Sequence, residues 1–161
     1  MKNYYDDPIF FEKYSQMGRS VHGLAGAGEW ESLQKMLPDF RGKSVLDLGC
    51  GYGWHCLYAA EQGASRVLGI DLSEKMLEVA QKKAENAEAK VISYQCMAME
   101  EYEYPTDTFD VVISSLALHY VADLPEVYRK VYHTLRAGGD CIFAVEHPIF
   151  TAYGNQDWIY D

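Results

Sequence analysis

Hydrophobic and polar positions follow two different rhythms along the chain. Short, nearly continuous apolar runs predict five strands, at 43–49, 66–71, 90–95, 109–115 and 138–146. Apolar residues at helical spacing predict three helices between them, at 54–63, 73–88 and 123–135. Ser73 and Asp123 stand where a side-chain oxygen can cap the first turn of the helix that follows.

This order of elements predicts the fold. Strands that alternate with helices form right-handed βαβ units, which build a parallel sheet covered by helices on both faces. The carboxyl ends of such strands meet at one rim, where ligands bind. We therefore expect the rim to gather five separate segments: 49–53, Asp71, 96–101, 114–119 and 146–148.

The first 43 residues have a different character, with many aromatic and acidic residues and frequent glycines. Apolar positions at helical spacing predict helices at 7–17 and 29–37, joined by the glycine-rich stretch 23–28. We expect one domain overall, with a helical segment at 1–43 and the sheet-bearing core at 44–161.

The amino acid composition of the chain argues against several classes of function. The 161 residues are 48% hydrophobic, as in a packed globular domain, and no apolar run approaches the roughly 20 residues of a membrane span. A net charge of −10, from 14 basic and 24 acidic residues, argues against a nucleic acid partner. No signal peptide is evident, so we expect a cytoplasmic protein. The four cysteines lack metal-binding spacing and are expected to be reduced thiols in or near the core.

The motif that indicates a ligand-binding site is a glycine-rich loop after the first strand. Gly49, Gly51 and Gly53 open a helix, where small residues let a ligand approach the backbone. Asp71 ends the second strand, at a position from which a carboxylate can accept from the two hydroxyls of a ribose. A tight turn and a helix-capping Asp71 are the structural alternatives. Together the two features favour an adenosine-containing ligand.

Trp54 narrows the choice of ligand. Dinucleotide sites usually have a third small residue here, which lets helix and strand pack closely. An indole at this position argues against that packing, and against an NAD-type oxidoreductase. No Gly-Lys-Ser/Thr sequence follows the glycines, which excludes a P-loop. A ligand with adenosine at one end and no pyrophosphate remains.

Four segments, 45–55, 67–80, 97–121 and 134–148, resemble the successive motifs of class I S-adenosylmethionine-dependent methyltransferases, in the branch that modifies small molecules. The resemblance covers nearly two-thirds of the chain. It implies a Rossmann-like, doubly wound, mostly parallel sheet, and S-adenosylmethionine as cofactor with S-adenosylhomocysteine as product. It also implies in-line transfer of a methyl group to a small-molecule acceptor.

The resemblance further implies which residues surround the cofactor: Asp47, Gly49, Cys50, Gly51, Tyr52, Gly53, Asp71, Leu72, Met76, Ala98, Met99, Ser114 and Ser115. The glycine loop would flank the methionine part, with Asp47 orienting the loop, and Asp71 would hold the ribose. Leu72 and Met76 would contact one side of the adenine. Ala98 and Met99 would contact the other.

The resemblance also implies roles for Ser114, Ser115 and the Ala98 position. Ser114 and Ser115 would offer backbone carbonyls to the amino group of the cofactor. Many members of that family carry an aspartate at the Ala98 position to accept from the adenine amine. In this chain a backbone carbonyl, or the nearby Glu100, would have to take that role.

The resemblance places the N-terminal helices over the cofactor as a lid, to which Tyr14, Arg19 and Trp30 would contribute. Packing of the aromatic helix face on the sheet is the structural alternative. A general base is needed only if the acceptor must lose a proton, and His119, Glu146 and His147 are candidates on the rim. A structural role is the alternative for each. No metal site is expected.

The family pattern continues with two further strands after the fifth, for which this sequence has no room. We therefore expect a shortened methyltransferase whose fifth strand is a free edge, open to pairing with a second copy. A part of the acceptor site could then be missing. The alternative function is a module that binds S-adenosylmethionine or S-adenosylhomocysteine without turnover, or that works only with a partner.

Overall fold

A computed structural model of the protein describes residues 4–147. Its five strands are β1 (Ser44–Leu48), β2 (Arg66–Asp71), β3 (Ile92–Cys96), β4 (Phe109–Ser115) and β5 (Leu135–Ala144). They form one parallel sheet in the order β3-β2-β1-β4-β5. Val45 of the central strand pairs with Val67 on one side and Val111 on the other. The predicted Rossmann-like fold is confirmed.

The α-helices of the described residues flank this sheet: α1 (Pro8–Ser15), α2 (Gly18–His22), α3 (Trp30–Met36), α4 (Trp54–Glu61), α5 (Glu74–Asn86) and α6 (Leu124–Thr134). Both predicted caps form, because the Ser73 hydroxyl accepts from the Met76 amide and the Asp123 carboxylate accepts from the Glu126 amide. The caps fix where α5 and α6 leave the rim.

The N-terminal region contains more structure than its sequence predicts. Helices form at the two expected places, but α2 and a 3-10 turn (Gly23–Gly26) occupy most of the stretch between them. Gly23 has a φ of +61°, a value that few other residues adopt, and this reverses the chain after α2. The region is therefore a set of short helices rather than two helices with only a glycine-rich stretch between them.

The core lies on both faces of the sheet. Side chains alternate along β1, so Val45 packs on one face with residues of α3 and α4, and Leu46 packs on the other with α6. All five residues of β1 are buried, as expected for a central strand. Two of the four cysteines, Cys50 and Cys56, are buried in the core as expected. The other two, Cys96 and Cys141, are instead exposed near the two edges of the sheet.

Candidate functional site

A cleft of about 440 Å³, counting its open mouth, lies between the N-terminal segment and the carboxyl end of the sheet. Three groups of residues line it, from the N-terminal segment, from the glycine loop with the start of α4, and from the end of β4: Tyr14, Arg19, Ser20, Gly23, Leu24, Ala27, Glu29, Gly49, Tyr52, Trp54, His55 and Ser115. The structure thus unites residues that the sequence assigned separately to the cofactor and to the lid.

The three glycines of the loop serve different purposes, although all have positive φ. A Cβ at Gly49 would lie 2.3 Å from the Ala117 methyl, and one at Gly53 would lie 2.4 Å from the Tyr94 hydroxyl oxygen. Both positions therefore need glycine for packing. A Cβ at Gly51 would meet no atom within 4 Å. Gly51 is the glycine that faces open space.

Asp71 connects the glycine loop to the start of α5. One carboxylate oxygen accepts from the Gly51 amide at 2.8 Å, and the other accepts from the Ser73 amide at 2.9 Å. Burial raises the pKa of Asp71, while these two amides act against the rise. The Leu72 amide also bonds the Asp71 carboxylate, so the three amides leave about one of its roughly four lone-pair sites for a further donor. The carboxylate is thus held rigidly, with acceptor capacity left for a ligand.

Asp47 lies beneath the loop and is only 1% exposed. One carboxylate oxygen accepts from the Cys56 thiol at 3.3 Å, and the other has no hydrogen-bond partner among the described residues. Burial raises the pKa of Asp47 to about 7, and the charge of Asp71 adds to this rise. Asp47 therefore bonds α4 from inside the protein, and its predicted role in orienting the loop stays a prediction.

The residues predicted around the adenine lie near the ends of β2 and β3. Met76 is fully buried in α5, and Leu72 and Ala98 are half-buried. The Met97 amide donates to the Asp71 carbonyl, which ties the loop containing Ala98 and Met99 to the end of β2. The two segments are therefore adjacent, and the adenine roles stay predictions.

The serines at the end of β4 have different partners. The Ser114 hydroxyl donates to the Leu48 carbonyl at 2.8 Å, which holds the ends of β1 and β4 together. The Ser115 hydroxyl donates to Glu29 at 2.9 Å, across the cleft. Their side chains thus have structural bonds, and the proposed role of their carbonyls stays a prediction.

The N-terminal segment lies on the rim through aromatic and polar contacts. The Tyr14 ring packs edge-on against Tyr52 of the glycine loop, with centroids 5.6 Å apart. The Asp6 carboxylate accepts from the Ser73 hydroxyl at 2.5 Å, at the start of α5. Helix α1 buries none of its residues. These contacts favour a cover over the rim, rather than a helix packed into the core of the sheet.

Two cleft residues were missed by the sequence reasoning. Glu29 precedes α3 and accepts from Arg19 at 2.5 Å. His55 lies in the first turn of α4, and burial lowers its pKa to about 4, so the imidazole is neutral at neutral pH. Trp30, predicted to contribute to the lid, packs on His55 with centroids 5.7 Å apart, and its role in a lid stays a prediction. No local pattern marks Glu29, whereas His55 could have been found from its place next to the loop.

The catalytic candidates differ in their surroundings. His119 lies in a 3-10 turn after β4, and both ring nitrogens are buried without a partner among the described residues. Its ring lies 4.3 Å from that of Tyr120. Glu146 and His147 are exposed beyond the end of β5, and Pro148 lies outside the described residues. Of the three candidates, His119 has the buried ring nitrogens, but it is not among the residues that line the cleft.

Two further expectations concern metals and membranes. Within residues 4–147, no group of three or more acidic, histidine or cysteine side chains could hold a metal ion. No helix in that same range is long and apolar enough to cross a bilayer.

Together, the sheet order, the glycine loop after β1 and the acid at the end of β2 define a nucleotide-binding α/β protein. Comparison with known families is more specific, because residues 46–143 match the methyltransferase domain. This match covers more than half of the chain. The chain belongs to the methyltransferase-domain family.

Individual relatives agree with this assignment. A Listeria monocytogenes structure described as an S-adenosylmethionine-dependent methyltransferase is 55% identical, with a TM-score of 0.79 over 83% of this chain and 62% of that one. A Haemophilus influenzae protein of unassigned function is 38% identical over 92% of this chain and 60% of its own length. Demethylmenaquinone methyltransferase of Symbiobacterium thermophilum is 32% identical, over 80% of this chain and 54% of that one.

The chain therefore spans about three-fifths of the length of these relatives, or somewhat less. The predicted cofactor, S-adenosylmethionine, is confirmed by the family and by its structural relatives.

Proposed function

We propose that the protein transfers a methyl group from S-adenosylmethionine to a small-molecule acceptor. The observation that carries the proposal is the arrangement at Gly51. This residue faces open space, and its amide is held by the Asp71 carboxylate at 2.8 Å. A nucleoside at this point could approach the backbone closely and donate a ribose hydroxyl to the same carboxylate.

The surrounding residues fit the cofactor. A sulfonium ion with an adenosine and an amino acid end needs a close backbone approach, an acceptor for the ribose and charged partners for the amino acid. Gly51, Asp71 and the Arg19–Glu29 pair provide these three features around one rim. When bound, S-adenosylmethionine supplies the methyl group and the leaving group.

The protein's own part in such a reaction is positioning. Methyl transfer is an in-line displacement, so the acceptor must be aligned and water excluded. Tyr14 and Tyr52, which pack together over the loop, would shield this space. His119 is the candidate to take a proton from an acceptor, because its ring nitrogens are buried and lack partners among the described residues.

A small-molecule acceptor is supported by two observations. The Symbiobacterium thermophilum relative is named for one, demethylmenaquinone. The strongly acidic composition of this chain disfavours nucleic acid. The alternative is a module that binds the cofactor without turnover or needs a partner. Pairing of two copies through an exposed sheet edge also stays a prediction, as do the boundaries 1–43 and 44–161.

The test begins with binding. Calorimetry with S-adenosylhomocysteine should show binding to the unchanged protein and a roughly ten- to hundredfold loss in Asp71→Asn, because an amide is a poorer acceptor than a carboxylate. Asp140→Asn is the matched control, since Asp140 is exposed on β5. Stabilisation by NAD or NADP alone, in a thermal-shift comparison, would contradict the proposal.

Turnover is tested separately. Labelled S-adenosylmethionine is incubated with a panel of amine, hydroxyl and quinol compounds, and methylated products are identified by mass spectrometry. The proposal expects at least one product that depends on Asp71. Binding without product across the panel would favour the module that lacks turnover.

A further inference from the structure

Two cysteine side chains meet beneath the glycine loop. Cys50 lies in the loop between Gly49 and Gly51, and Cys56 lies in the first turn of α4. The two side chains are within hydrogen-bond reach of each other. Both are buried, with exposed fractions of 6% for Cys50 and 0% for Cys56. We call these two residues the inner thiol pair.

The backbone fixes where the inner thiol pair lies. The Cys50 amide donates to the Ile70 carbonyl at 3.0 Å, and the Cys50 carbonyl accepts from the Gly53 amide at 2.8 Å, which closes a tight turn before α4. Gly69 of β2 leaves the space that the Cys50 sulfur occupies, since a Cβ at Gly69 would lie 2.8 Å from that sulfur. The turn and this space hold the Cys50 side chain on the inner side of the loop, where Cys56 lies.

A proton acceptor lies against the pair. The Cys56 thiol donates to the Asp47 carboxylate at 3.3 Å. Burial keeps both thiols protonated, because it raises the pKa of Cys50 to about 11 and raises that of Cys56 well above its ordinary value. Asp47 has a pKa of about 7 and is partly ionised near neutral pH. It is therefore the group that can accept the Cys56 proton when the sulfur of Cys56 reacts.

We propose that the inner thiol pair is an oxidation site, at which a peroxide converts Cys50 and Cys56 into a disulfide that weakens cofactor binding. The inference goes beyond the proposed function, because it adds a modification of the loop and not a role in methyl transfer. The oxidant reaches the pair from the loop side, where Gly51 next to Cys50 faces open space.

The reaction consumes one peroxide and releases two water molecules. The Cys50 sulfur attacks a peroxide oxygen, the O–O bond breaks, and the departing hydroxide takes the Cys50 proton. The Cys56 sulfur then attacks the resulting sulfenic acid, and Asp47 accepts the Cys56 proton. The S–O bond breaks, and the second hydroxide takes that proton from Asp47. The first step is slow, because the thiolate is the nucleophile and little of Cys50 is ionised.

Formation of the bond must move the loop. A disulfide holds its two sulfur atoms about 2.0 Å apart, which is closer than a hydrogen bond between thiols allows. Cys50 is therefore drawn towards α4, and Gly51 moves with it. The Gly51 amide donates to the Asp71 carboxylate at 2.8 Å, so the shift weakens a bond that shapes the cofactor site.

The competing explanation is that the two cysteines act only as small apolar side chains in the core. Peroxide would then oxidise the exposed Cys96 and Cys141 and leave the inner thiol pair unchanged. The two explanations differ in which thiols react in the folded protein, and this difference provides the test.

The test uses a Cys96→Ser/Cys141→Ser background, in which the inner thiol pair contains the remaining two cysteines of the chain. Hydrogen peroxide is added to the folded protein, and free thiols are alkylated after denaturation. Both cysteines lie in one tryptic peptide, 44–66, which is analysed by mass spectrometry. This peptide should lose two hydrogen atoms and take up no alkylating reagent.

The effect on binding is measured by calorimetry with S-adenosylhomocysteine. Oxidation should weaken binding roughly ten- to hundredfold, the range for a hydrogen bond to a charged group. Dithiothreitol should restore the affinity, because a thiol reductant reverses a disulfide but not the oxidation of methionine. Cys56→Ala in the same background is the matched control. It cannot form the bond, so its affinity should be the same before and after peroxide.

Several outcomes would overturn the inference. One is a 44–66 peptide that stays fully alkylated after peroxide treatment of the folded protein, and another is a disulfide that leaves the affinity unchanged. An equal loss of affinity in Cys56→Ala would assign the effect to damage elsewhere. Failure of the reduced protein to bind S-adenosylhomocysteine would overturn the proposed function and the effect on binding, whereas the peptide would still show whether the disulfide forms.

A second variant guards against loss of folding in Cys56→Ala. Cys50→Ala removes the other sulfur, so its affinity should also be insensitive to peroxide, whatever its starting value. Circular dichroism establishes that each variant is folded before titration. A peroxide-dependent loss of affinity in either folded variant, reversed by dithiothreitol, would contradict a disulfide between Cys50 and Cys56.

Discussion

Substitution of Asp47 by asparagine should change how the stability of the protein depends on pH. Asp47 is 1% exposed, and burial raises its pKa to about 7. The unfolded chain would release this proton near the ordinary pKa of about 3.9. Because the folded pKa is the higher one, the contribution of Asp47 to stability is fully present below about pH 4. It is lost as pH rises towards about 7 and then levels off.

The size of the effect follows from the two pKa values. A difference of about 3 units at about 1.4 kcal/mol per unit gives about 4 kcal/mol, lost mainly between pH 4 and pH 7. The asparagine side chain of the Asp47→Asn variant cannot ionise, so the variant lacks this loss. Its amide N–H groups lack an acceptor in the buried site and add a cost that does not depend on pH. The free energy of unfolding of the variant should therefore rise relative to the unchanged protein as pH increases.

Urea unfolding from pH 4 to pH 8 measures this difference. Carboxyl groups that do not interact with Asp47 titrate in both proteins and cancel in the subtraction, among them Asp39, whose pKa a hydrogen bond from Arg41 lowers to about 2. Asp140→Asn, which removes an exposed carboxyl group on β5, is the control. A difference for Asp47→Asn that changes by less than about 1 kcal/mol would refute the reasoning. Asp47 would then ionise in the folded protein as it does in water.

Two further predictions concern the glycine loop and the start of α5. Gly53→Ala should lower the free energy of urea unfolding by about 2 kcal/mol or more, because φ is +72° and the new Cβ would lie 2.4 Å from the Tyr94 hydroxyl oxygen. Gly28→Ala, which meets nothing within 4 Å, is its control, and an equal loss in both would contradict the argument. Ser73→Ala should lower the free energy of unfolding by about 1 kcal/mol, because α5 loses its cap. It should also speed hydrogen exchange of residues 4–15, because the bond from this hydroxyl to the N-terminal segment is lost. Unchanged exchange would show that this bond does not hold the segment.

The sheet could be predicted from the sequence because its signals are local and repeated. Each central strand is a short apolar run, and each following helix has its own periodicity and cap. The path between α1 and α3 could not be predicted in the same way. Helix α2 has five residues, too few to show a period, and its direction is set where Gly23 meets the Trp54 ring. This contact joins residues 31 positions apart in the sequence, and neither segment contains a pattern that would predict it.

The same distinction applies to the site. The glycine spacing and Asp71 are readable because one strand-to-helix turn and one strand end contain them. The bond between Gly51 and Asp71 confirms that the two features meet. Glu29 and Ser115 are 86 positions apart in the sequence, and only the folded chain brings them into contact. The residues next to Glu29 in the sequence form no motif that would mark it. The exposure of Cys96 and Cys141 was missed because sheet order decides which strands lie at the edges.

Trp54 bears both on the choice of ligand and on the structure of the cleft. In the sequence, its size argues against the close packing that dinucleotide sites use. In the structure it begins α4, with Gly23 against its ring and the Lys83 ammonium 3.9 Å from its centroid. A Cβ at Gly23 would lie 3.1 Å from the indole, so the turn at Gly23–Gly26 rests directly on it. A small residue at position 54 would remove this support and open the cleft on the side where Arg19 and Glu29 meet. The bulk that argues against a pyrophosphate ligand therefore also supports the turn that lies in the same cleft as Arg19 and Glu29.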